Sequence, residues 1–217
     1  MRLFVTLSPC LLVTLSLLLI GCGTIPATPI AALSPEAQRV AQSTLWPNIP
    51  AKRPFSITIH IAGRRTTATG VLDYHDPRDF RITAATELGN VLFDVRVNWT
   101  GVTVLRTMPG IDASIVEAFV RNLSRAMTLP DSLEGLTLAR DQLLLRRNGY
   151  LWTFDANTDR LKTTEITMGT FDTLRIEYLR YDHRGWPREI AITRRARFYS
   201  ITLTFTDAES ARLSARG

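Results

Sequence analysis

Acidic and histidine side chains gather at one place in the sequence, where their types would suit a metal ion. Asp73, His75, Asp76 and Asp79 lie close together, and carboxylate and imidazole groups are common metal ligands. Asp is also an ordinary turn residue, because its carboxylate hydrogen-bonds to backbone N–H groups two residues further along. The stretch lies between two strand-like segments, so we interpret it as a hairpin turn and expect no metal.

Residues 155–159 imitate the opening of an EF-hand calcium loop, with acidic or amide side chains at alternate positions. Arg160 occupies the position where that loop needs Gly, and Ile166 stands where it needs a bidentate Glu. Such a loop would therefore lack both the sharp turn of an EF-hand and its strongest calcium ligand. The stretch therefore predicts a turn.

The common catalytic signatures are absent from the sequence. There is no G-x-S-x-G, H-E-x-x-H, phosphate-binding loop or C-x-x-C pattern. The histidines, His60, His75 and His183, are isolated along the chain, and an isolated His in a strand or turn is usually structural or solvated. We expect no enzyme, no catalytic residue and no cofactor. A catalytic group assembled from distant strands is the alternative.

Cys22 is the residue whose surroundings predict a chemical modification. It ends a long apolar run that follows Met1-Arg2, and Leu19-Ile20-Gly21-Cys22 resembles the bacterial lipobox. In that motif a peptidase cleaves before a cysteine whose thiol has taken up diacylglycerol, and the small Gly21 fits a narrow peptidase subsite. We predict a signal peptide over residues 1–21 and lipidation of Cys22. The alternative is a transmembrane anchor, since the run approaches the ~20 residues that span a bilayer.

Lipidation of Cys22 would leave the mature chain without a thiol. The other cysteine, Cys10, lies in the predicted signal peptide, so no disulfide is expected. The acyl chains would hold the protein on a membrane, with ~0.8 kcal/mol from each buried methylene. In a diderm bacterium, Gly23 lacks the aspartate associated with inner-membrane retention. We therefore expect a lipid-anchored protein of the cell envelope, at the outer membrane and facing the periplasm.

The formal net charge of +6 comes from arginines dispersed along the chain. Pairs such as Arg64-Arg65 and Arg146-Arg147 lie beside turns, where a solvated surface would place them. Attraction to anionic lipid head groups is the next alternative. We expect no nucleic-acid binding, because the sequence has no basic helix and no pattern of aromatic residues interleaved with lysines.

The remaining chain divides into a tether, one domain and a tail. Residues 22–33 form a lipidated, flexible Pro/Ala/Thr tether. Ser34-Pro35-Glu36 then supplies a cap, a proline and an acid for the start of a helix. We expect a single domain over residues 34–206 and a polar tail over residues 207–217.

Alternating apolar and polar residues predict strands on both sides of a central helix. The alternation begins at Phe55, and the clearest hairpin has Asn148-Gly149 at its turn, the pair that a type I′ turn prefers. We count about ten strands in two meanders. The predicted fold class is mainly β (α+β), a curved antiparallel sheet with helices on its concave face.

The central helix is predicted over residues 112–127, after Pro109-Gly110 break the preceding strand. Ser114 and Glu117 fit a capping box, and Asp112 is an alternative cap. Its apolar positions recur at steps of three and four residues, which predicts an amphipathic helix. Those positions are Ile115, Val116, Phe119, Val120, Leu123 and Met127.

Several weak motifs occur in order over most of residues 34–206. Besides the lipobox and the two helices, they are Pro77-Arg78-Asp79-Phe80-Arg81-Ile82, Leu88-Gly89, Tyr150-Leu151-Trp152 and Pro187-Arg188-Glu189-Ile190-Ala191-Ile192. Their order resembles the LolA/LolB lipoprotein-carrier superfamily, and the similarity lies closer to LolB, itself a lipoprotein, than to the soluble carrier LolA. The resemblance implies an incomplete antiparallel β-barrel whose helices form a lid on the concave face, above an apolar hollow that receives acyl chains.

The leading hypothesis is therefore a membrane-anchored protein that binds acyl chains of a lipid or lipoprotein cargo. Two alternatives remain: a structural or assembly lipoprotein that docks another envelope protein and has a filled interior, and an accessory factor of an envelope biosynthetic pathway. Ordinary core packing also explains each residue predicted to line the cavity. Those residues are Ile115, Phe119, Val120, Leu123, Phe93, Val95, Trp99 and Trp152.

Overall fold

The computed structural model describes the strand-rich part of the chain and the central helix. The predicted signal peptide, Cys22, the helix predicted after Ser34 and the tail over residues 207–217 lie outside the described residues. Those described residues are 28–29, 51–61, 63–130, 132–183, 185–194 and 199–206.

Thirteen strands and one helix are formed by the described residues. In chain order they are β1 (Thr28–Pro29), β2 (Ala51–Ile61), β3 (Arg64–Asp76), β4 (Asp79–Ala85), β5 (Val91–Asn98), β6 (Gly101–Thr107), α1 (Ala113–Met127), β7 (Thr137–Ala139), β8 (Gln142–Arg147), β9 (Tyr150–Asp155), β10 (Leu161–Gly169), β11 (Asp172–Tyr181), β12 (Pro187–Arg194) and β13 (Tyr199–Phe205).

All strands belong to one open antiparallel sheet, in the order β1-β7-β8-β9-β10-β11-β12-β13-β2-β3-β4-β5-β6. Pairing of β13 with β2 joins the two meanders, with Leu203 opposite Ile57 and Phe205 opposite Phe55. The edge strands β1 and β6 do not pair with each other, so the barrel is not closed. The predicted fold class, a mainly β incomplete barrel, is confirmed.

The strand count differs from the predicted ten mainly because two short strands show no alternation. β7 has three residues and β1 has two. Thr28 lies opposite Leu138 and Pro29 opposite Thr137. Part of the segment predicted as a flexible tether, residues 22–33, is therefore a strand of the sheet.

Alternation along each strand separates an inner apolar face from an outer polar face. In β4, Phe80, Ile82 and Ala84 are buried in the single apolar cluster. On the outer face, Arg81 Nε donates to Asp94 Oδ1 at 2.8 Å, and this bond lowers the pKa of the Asp94 carboxyl below its usual range. An open antiparallel sheet with one buried face shows this pattern.

Two turns form as their sequences predict. Asn148 and Gly149 have φ angles of 50° and 80°, and positive φ at both central residues defines the type I′ turn. Asp155 Oδ1 accepts hydrogen bonds from the backbone N–H groups of Asn157 at 2.9 Å and Thr158 at 3.0 Å. The carboxylate of Asp155 thus hydrogen-bonds to the backbone of its own turn.

Gly70 marks a close approach between strands β3 and β4. A Cβ atom at Gly70 would lie 2.1 Å from the carbonyl oxygen of Thr83 and 2.6 Å from Cζ of Phe55. Phe55 lies opposite Gly70 in the neighbouring strand β2, so its ring fills the space that a side chain would need. The absence of a Cβ therefore lets β3 lie this close to Thr83 of β4 and to the Phe55 ring.

A buried ion pair joins two parts of the second half of the sheet to β2. Arg53 Nη2 lies 3.2 Å from Asp182 Oδ2, and both side chains are buried. The Arg53 guanidinium also lies 4.8 Å from the centre of the Trp186 ring and 5.0 Å from that of Phe205. The pair therefore connects the start of β2 with the β11–β12 turn and the end of β13.

Candidate functional site

The helix α1 begins at a cap that the sequence predicted as an alternative. Asp112 Oδ1 accepts a hydrogen bond from the backbone N–H of Ser114 at 2.8 Å, which lowers the pKa of the Asp112 carboxyl. Ser114 therefore lies inside the helix and does not cap it. At the other end, the backbone N–H of Thr128 donates to Arg125 O. The helix is thus defined at both ends.

One side of α1 is buried against the inner face of the sheet. The rings of Phe119 and Phe93 meet edge to face, with their centroids 5.8 Å apart. Val120, Leu123 and Met127 are fully buried. The helix therefore covers the apolar face of the sheet, in the position that a lid would take.

Six of the eight residues predicted to line a cavity belong to the buried apolar cluster. Ile115 and Trp99 differ, because they are 54% and 71% exposed. Ile115 lies in the first helical turn, about 100° around the axis from Val116, at the margin of the buried stripe. Trp99 lies in the turn after β5, where the alternation has ended. The buried six are Phe93, Val95, Phe119, Val120, Leu123 and Trp152.

Polar side chains that the sequence did not reveal hold α1 to distant strands. Tyr178 Oη donates to the backbone oxygen of Ala126 at 2.6 Å, and Asn122 Nδ2 donates to Tyr199 Oη at 2.5 Å. Ala126 O lies in the last helical turn, where a carbonyl has no partner within the helix. Burial raises the pKa of the Tyr178 hydroxyl above its usual value, so it remains a donor at neutral pH.

Replacement of Tyr178 by Phe is expected to weaken the attachment of α1 to the sheet without creating a cavity in the core. A buried carbonyl would lose its partner, which costs about 1–3 kcal/mol of unfolding free energy. Denaturant unfolding measures the loss. Tyr150→Phe is the control, because the Tyr150 hydroxyl makes no hydrogen bond among the described residues. An equal loss in both variants would show that the bond to Ala126 is not what matters.

The indole N–H of Trp152 is a buried donor on the inner face. Trp152 Nε1 has no hydrogen-bond partner among the described residues. Its ring stacks on Tyr150, with centroids 5.0 Å apart, and Trp152 lies opposite Thr164 in the sheet. A buried donor without a partner is costly. The arrangement suits an acceptor oxygen delivered by a ligand.

The described residues offer little for metal chemistry. In residues 51–206, apart from the gaps noted above, no group of three or more His, Cys, Asp or Glu side chains is placed to hold a metal ion. In particular, Asp76 Oδ1 accepts a hydrogen bond from the backbone N–H of Arg78 at 2.6 Å. The acidic stretch forms the predicted turn. α1 is too short and too polar to cross a bilayer.

Comparison with known proteins shows similarity in structure and not in sequence. No family model and no curated protein matches the sequence. A LolA superfamily protein from Nitrosomonas europaea is similar in structure, with a TM-score of 0.54, 11% identity, and coverage of 79% of this chain and 91% of that one. A DUF1329 family protein from Desulfovibrio piger has a TM-score of 0.46, 8% identity, and coverage of 79% and 89%. The first similarity shows a shared fold.

Proposed function

We propose that the protein is a lipid-anchored, non-catalytic lipoprotein that binds acyl chains of a lipid or lipoprotein between its sheet and α1. The observation that carries the proposal is the apolar inner face of an open sheet, covered by a single described helix. The LolA superfamily protein has the same fold, and the sequence resembles that superfamily in the order of its motifs. The role fits lipid or lipoprotein localisation at the cell envelope.

The energetics of the inner face favour an apolar ligand. Removing apolar surface from water stabilises a complex by ~25 cal/mol per Å². An acyl chain that displaced part of the Phe93–Phe119 contact would exchange one apolar contact for another, so the helix loses little by opening. Hydrogen bonds from Tyr178 and Asn122 would limit how far it moves.

A polar atom of the ligand has a place to bind within the apolar surroundings. The Trp152 N–H would donate to the carbonyl oxygen of an ester or amide, the group that joins an acyl chain to its head group. That bond would satisfy the buried donor. It also argues for an acylated ligand over a plain hydrocarbon.

Anchoring through Cys22 would place the protein on the membrane from which such a ligand comes. Membrane attachment through two or more acyl chains is stable. We propose that the protein is anchored in the outer membrane and faces the periplasm, because Gly23 follows Cys22 in place of the aspartate associated with inner-membrane retention.

Native mass spectrometry of the chain from residue 23 onward tests the ligand. The expected result is a co-purifying acylated molecule that is released on denaturation, together with saturable uptake of a fluorescent fatty acid. If no lipid co-purifies and no fatty acid is taken up, the proposal fails.

Phe119→Ala is expected to alter ligand retention and leave the fold intact. In a filled core, truncation of Phe to Ala costs about 3–5 kcal/mol. A binding space that relaxes around the smaller side chain would lose less. Fatty-acid uptake and denaturant unfolding are measured together. Ile115→Ala, an exposed apolar truncation on the same helix, should change neither quantity.

A filled interior would favour the second candidate function, a structural lipoprotein that docks an envelope protein. The packing of Phe93 against Phe119 inside the buried cluster is the observation on its side. The full loss of stability in Phe119→Ala, with no ligand bound by either form, would support it.

A further inference from the structure

Three arginines and a tryptophan surround a surface depression at one end of the sheet. The depression has a volume of about 290 Å³ and lies between the β3–β4 turn, the β5–β6 turn and the second half of α1. We call it the arginine pocket, and it is lined by Arg78, Arg121, Arg125, Trp99, Asn98 and Ser124, together with Thr100, Gly101, Val97 and Val102. Val97 belongs to the buried apolar cluster, and Val102 packs against it.

The charge of the arginine pocket is positive, because no carboxylate is among its lining residues. Arg121 forms an ion pair with Glu117 one helical turn earlier. Arg125 Nη1 donates to Asn122 Oδ1 at 3.0 Å. Among the described residues, neither Arg78 nor Arg125 has a carboxylate partner. The two guanidinium groups are therefore not balanced by a carboxylate among the described residues, and Arg125 uses only its Nη1 atom, towards Asn122 Oδ1 and Met168 Sδ.

The nearby acidic residues Asp76, Asp79 and Glu117 do not line the pocket. Asp76 precedes the β3–β4 turn, and its carboxylate accepts the backbone N–H of Arg78 at 2.6 Å. This carboxylate is therefore directed at the turn backbone and does not line the pocket. Glu117 balances Arg121 alone.

Hydrogen bonds fix the walls of the arginine pocket. Ser124 Oγ donates to the carbonyl oxygen of Pro77 at 3.1 Å and joins α1 to the β3–β4 turn. Asn98 Oδ1 accepts hydrogen bonds from Thr100 N at 3.0 Å and Gly101 N at 3.2 Å. These bonds hold the β5–β6 turn, which presents Trp99. The walls are thus present before any ligand binds.

Trp99 is exposed and is covered on one side by a cation. The Arg78 guanidinium carbon lies 5.5 Å from the centre of the Trp99 ring. Such stacking orients a guanidinium and leaves its edge free to donate. The arrangement keeps the Arg78 fork in a defined position beside the depression.

We propose that the arginine pocket binds a phosphate group, carried by a phosphomonoester or a phosphodiester. Guanidinium groups recognise phosphate oxygens through paired, charge-assisted hydrogen bonds. The volume accommodates a phosphate with a glycerol-sized substituent, which would pack against the indole of Trp99. Lipid head groups and soluble phosphate esters share this chemistry. The site is tested separately from acyl-chain binding, because its arginines and Trp99 lie outside the buried apolar cluster, although the lining residue Val97 belongs to it.

The test follows the fluorescence of Trp99 in the full chain, held in dodecyl maltoside, a detergent without phosphate. The probes are inorganic phosphate, glycerol 3-phosphate, and mixed micelles containing either phosphatidylglycerol or diacylglycerol. The Trp99→Phe variant identifies the Trp99 signal among the four tryptophans of the sequence. We expect a saturable change with a phosphate-containing probe and none with diacylglycerol.

A charge-matched pair of variants distinguishes binding at the arginine pocket from general electrostatic attraction of an anionic probe to the protein. Arg78→Gln/Arg125→Gln should weaken binding by about tenfold or more, because two charge-assisted contacts are lost. Arg96→Gln/Arg146→Gln removes the same charge from exposed positions elsewhere and should bind normally. Arg78→Gln alone carries the test if the double variant unfolds, since Arg78 is exposed.

The outcomes identify the source of the phosphate. Saturation by glycerol 3-phosphate alone indicates a soluble ester, and saturation by phosphatidylglycerol alone indicates a lipid head group. Both uphold the site. No response of Trp99 to any phosphate probe, or an equal weakening in the control pair, overturns it.

Discussion

Replacement of Gly70 by Ala is expected to destabilise the protein by about 3 kcal/mol or more, and to prevent its accumulation in cells as a folded chain. The added methyl group would lie 2.1 Å from the Thr83 carbonyl oxygen. Atoms at that distance overlap strongly, so the strands must separate. The substitution is otherwise among the mildest available, which makes the expected effect informative.

Gly70 is flanked by residues of both neighbouring strands. Gly70 lies between Phe55 in β2 and Ala84 in β4, and it pairs with both. Phe55 is buried and meets Phe205 edge to face, with centroids 6.2 Å apart. Moving the Phe55 ring would disturb its contact with Phe205 of β13, while moving β4 would break its pairing with β3.

Gly169→Ala is the matched control for this experiment. A Cβ atom at Gly169 meets nothing within 4 Å, and its backbone does not require glycine. Denaturant unfolding and the yield of folded protein should be unchanged by Gly169→Ala. A Gly70→Ala protein as stable as the wild type would show that the close approach of β3 and β4 at Gly70 does not constrain the sheet.

Loss of Arg53 is expected to have an effect of similar size. Arg53→Ala removes the guanidinium that faces Asp182, and both side chains are buried. Breaking a buried ion pair by removing one partner costs about 3–5 kcal/mol, because the other charge stays in a poorly solvated place. The contacts of Arg53 with the rings of Trp186 and Phe205 would be lost as well.

Two further variants assign the cause of that loss. Arg53→Met/Asp182→Leu removes both charges and should recover much of the stability, measured by denaturant unfolding. Arg81→Ala breaks a closer ion pair with Asp94 on the outer face, where the guanidinium donates two hydrogen bonds to the carboxylate, and its effect should still be much smaller because water screens it. If Arg53→Ala and Arg81→Ala lose equal stability, burial is not what makes the Arg53 pair important.

The sequence predicted those parts of the fold that are determined by residues close together in the chain. Alternation located β4 and β5, and the Asn148-Gly149 pair located a type I′ turn. The short strands β1 and β7 were not predicted, because two or three residues cannot display an alternation of apolar and polar positions. The Arg53–Asp182 ion pair was not predicted for another reason. Its two residues are 129 positions apart in sequence, and no residue near either one indicates the other.

The candidate site was predictable to the extent that it depends on the helical period. Phe119, Val120 and Leu123 lie on the buried side of α1 as expected. Ile115 has the right residue type, but its angle around the helix places it at the margin. Trp99 belongs to a turn, where a period of two no longer applies. Hydrogen bonds such as Tyr178 to Ala126 depend on tertiary placement and left no signal in the sequence.

The pairing of β1 with β7 sets the reach of the protein from its membrane. If Cys22 carries the lipid, as proposed, only five residues separate it from Thr28, the first residue of β1. An extended chain advances by at most ~3.4 Å per residue, so the anchor lies within about 20 Å of this sheet edge. The domain would then stay close to the bilayer surface with the β1–β7 edge towards it. Any ligand exchange with a distant partner would require the partner to approach, or β1 to detach.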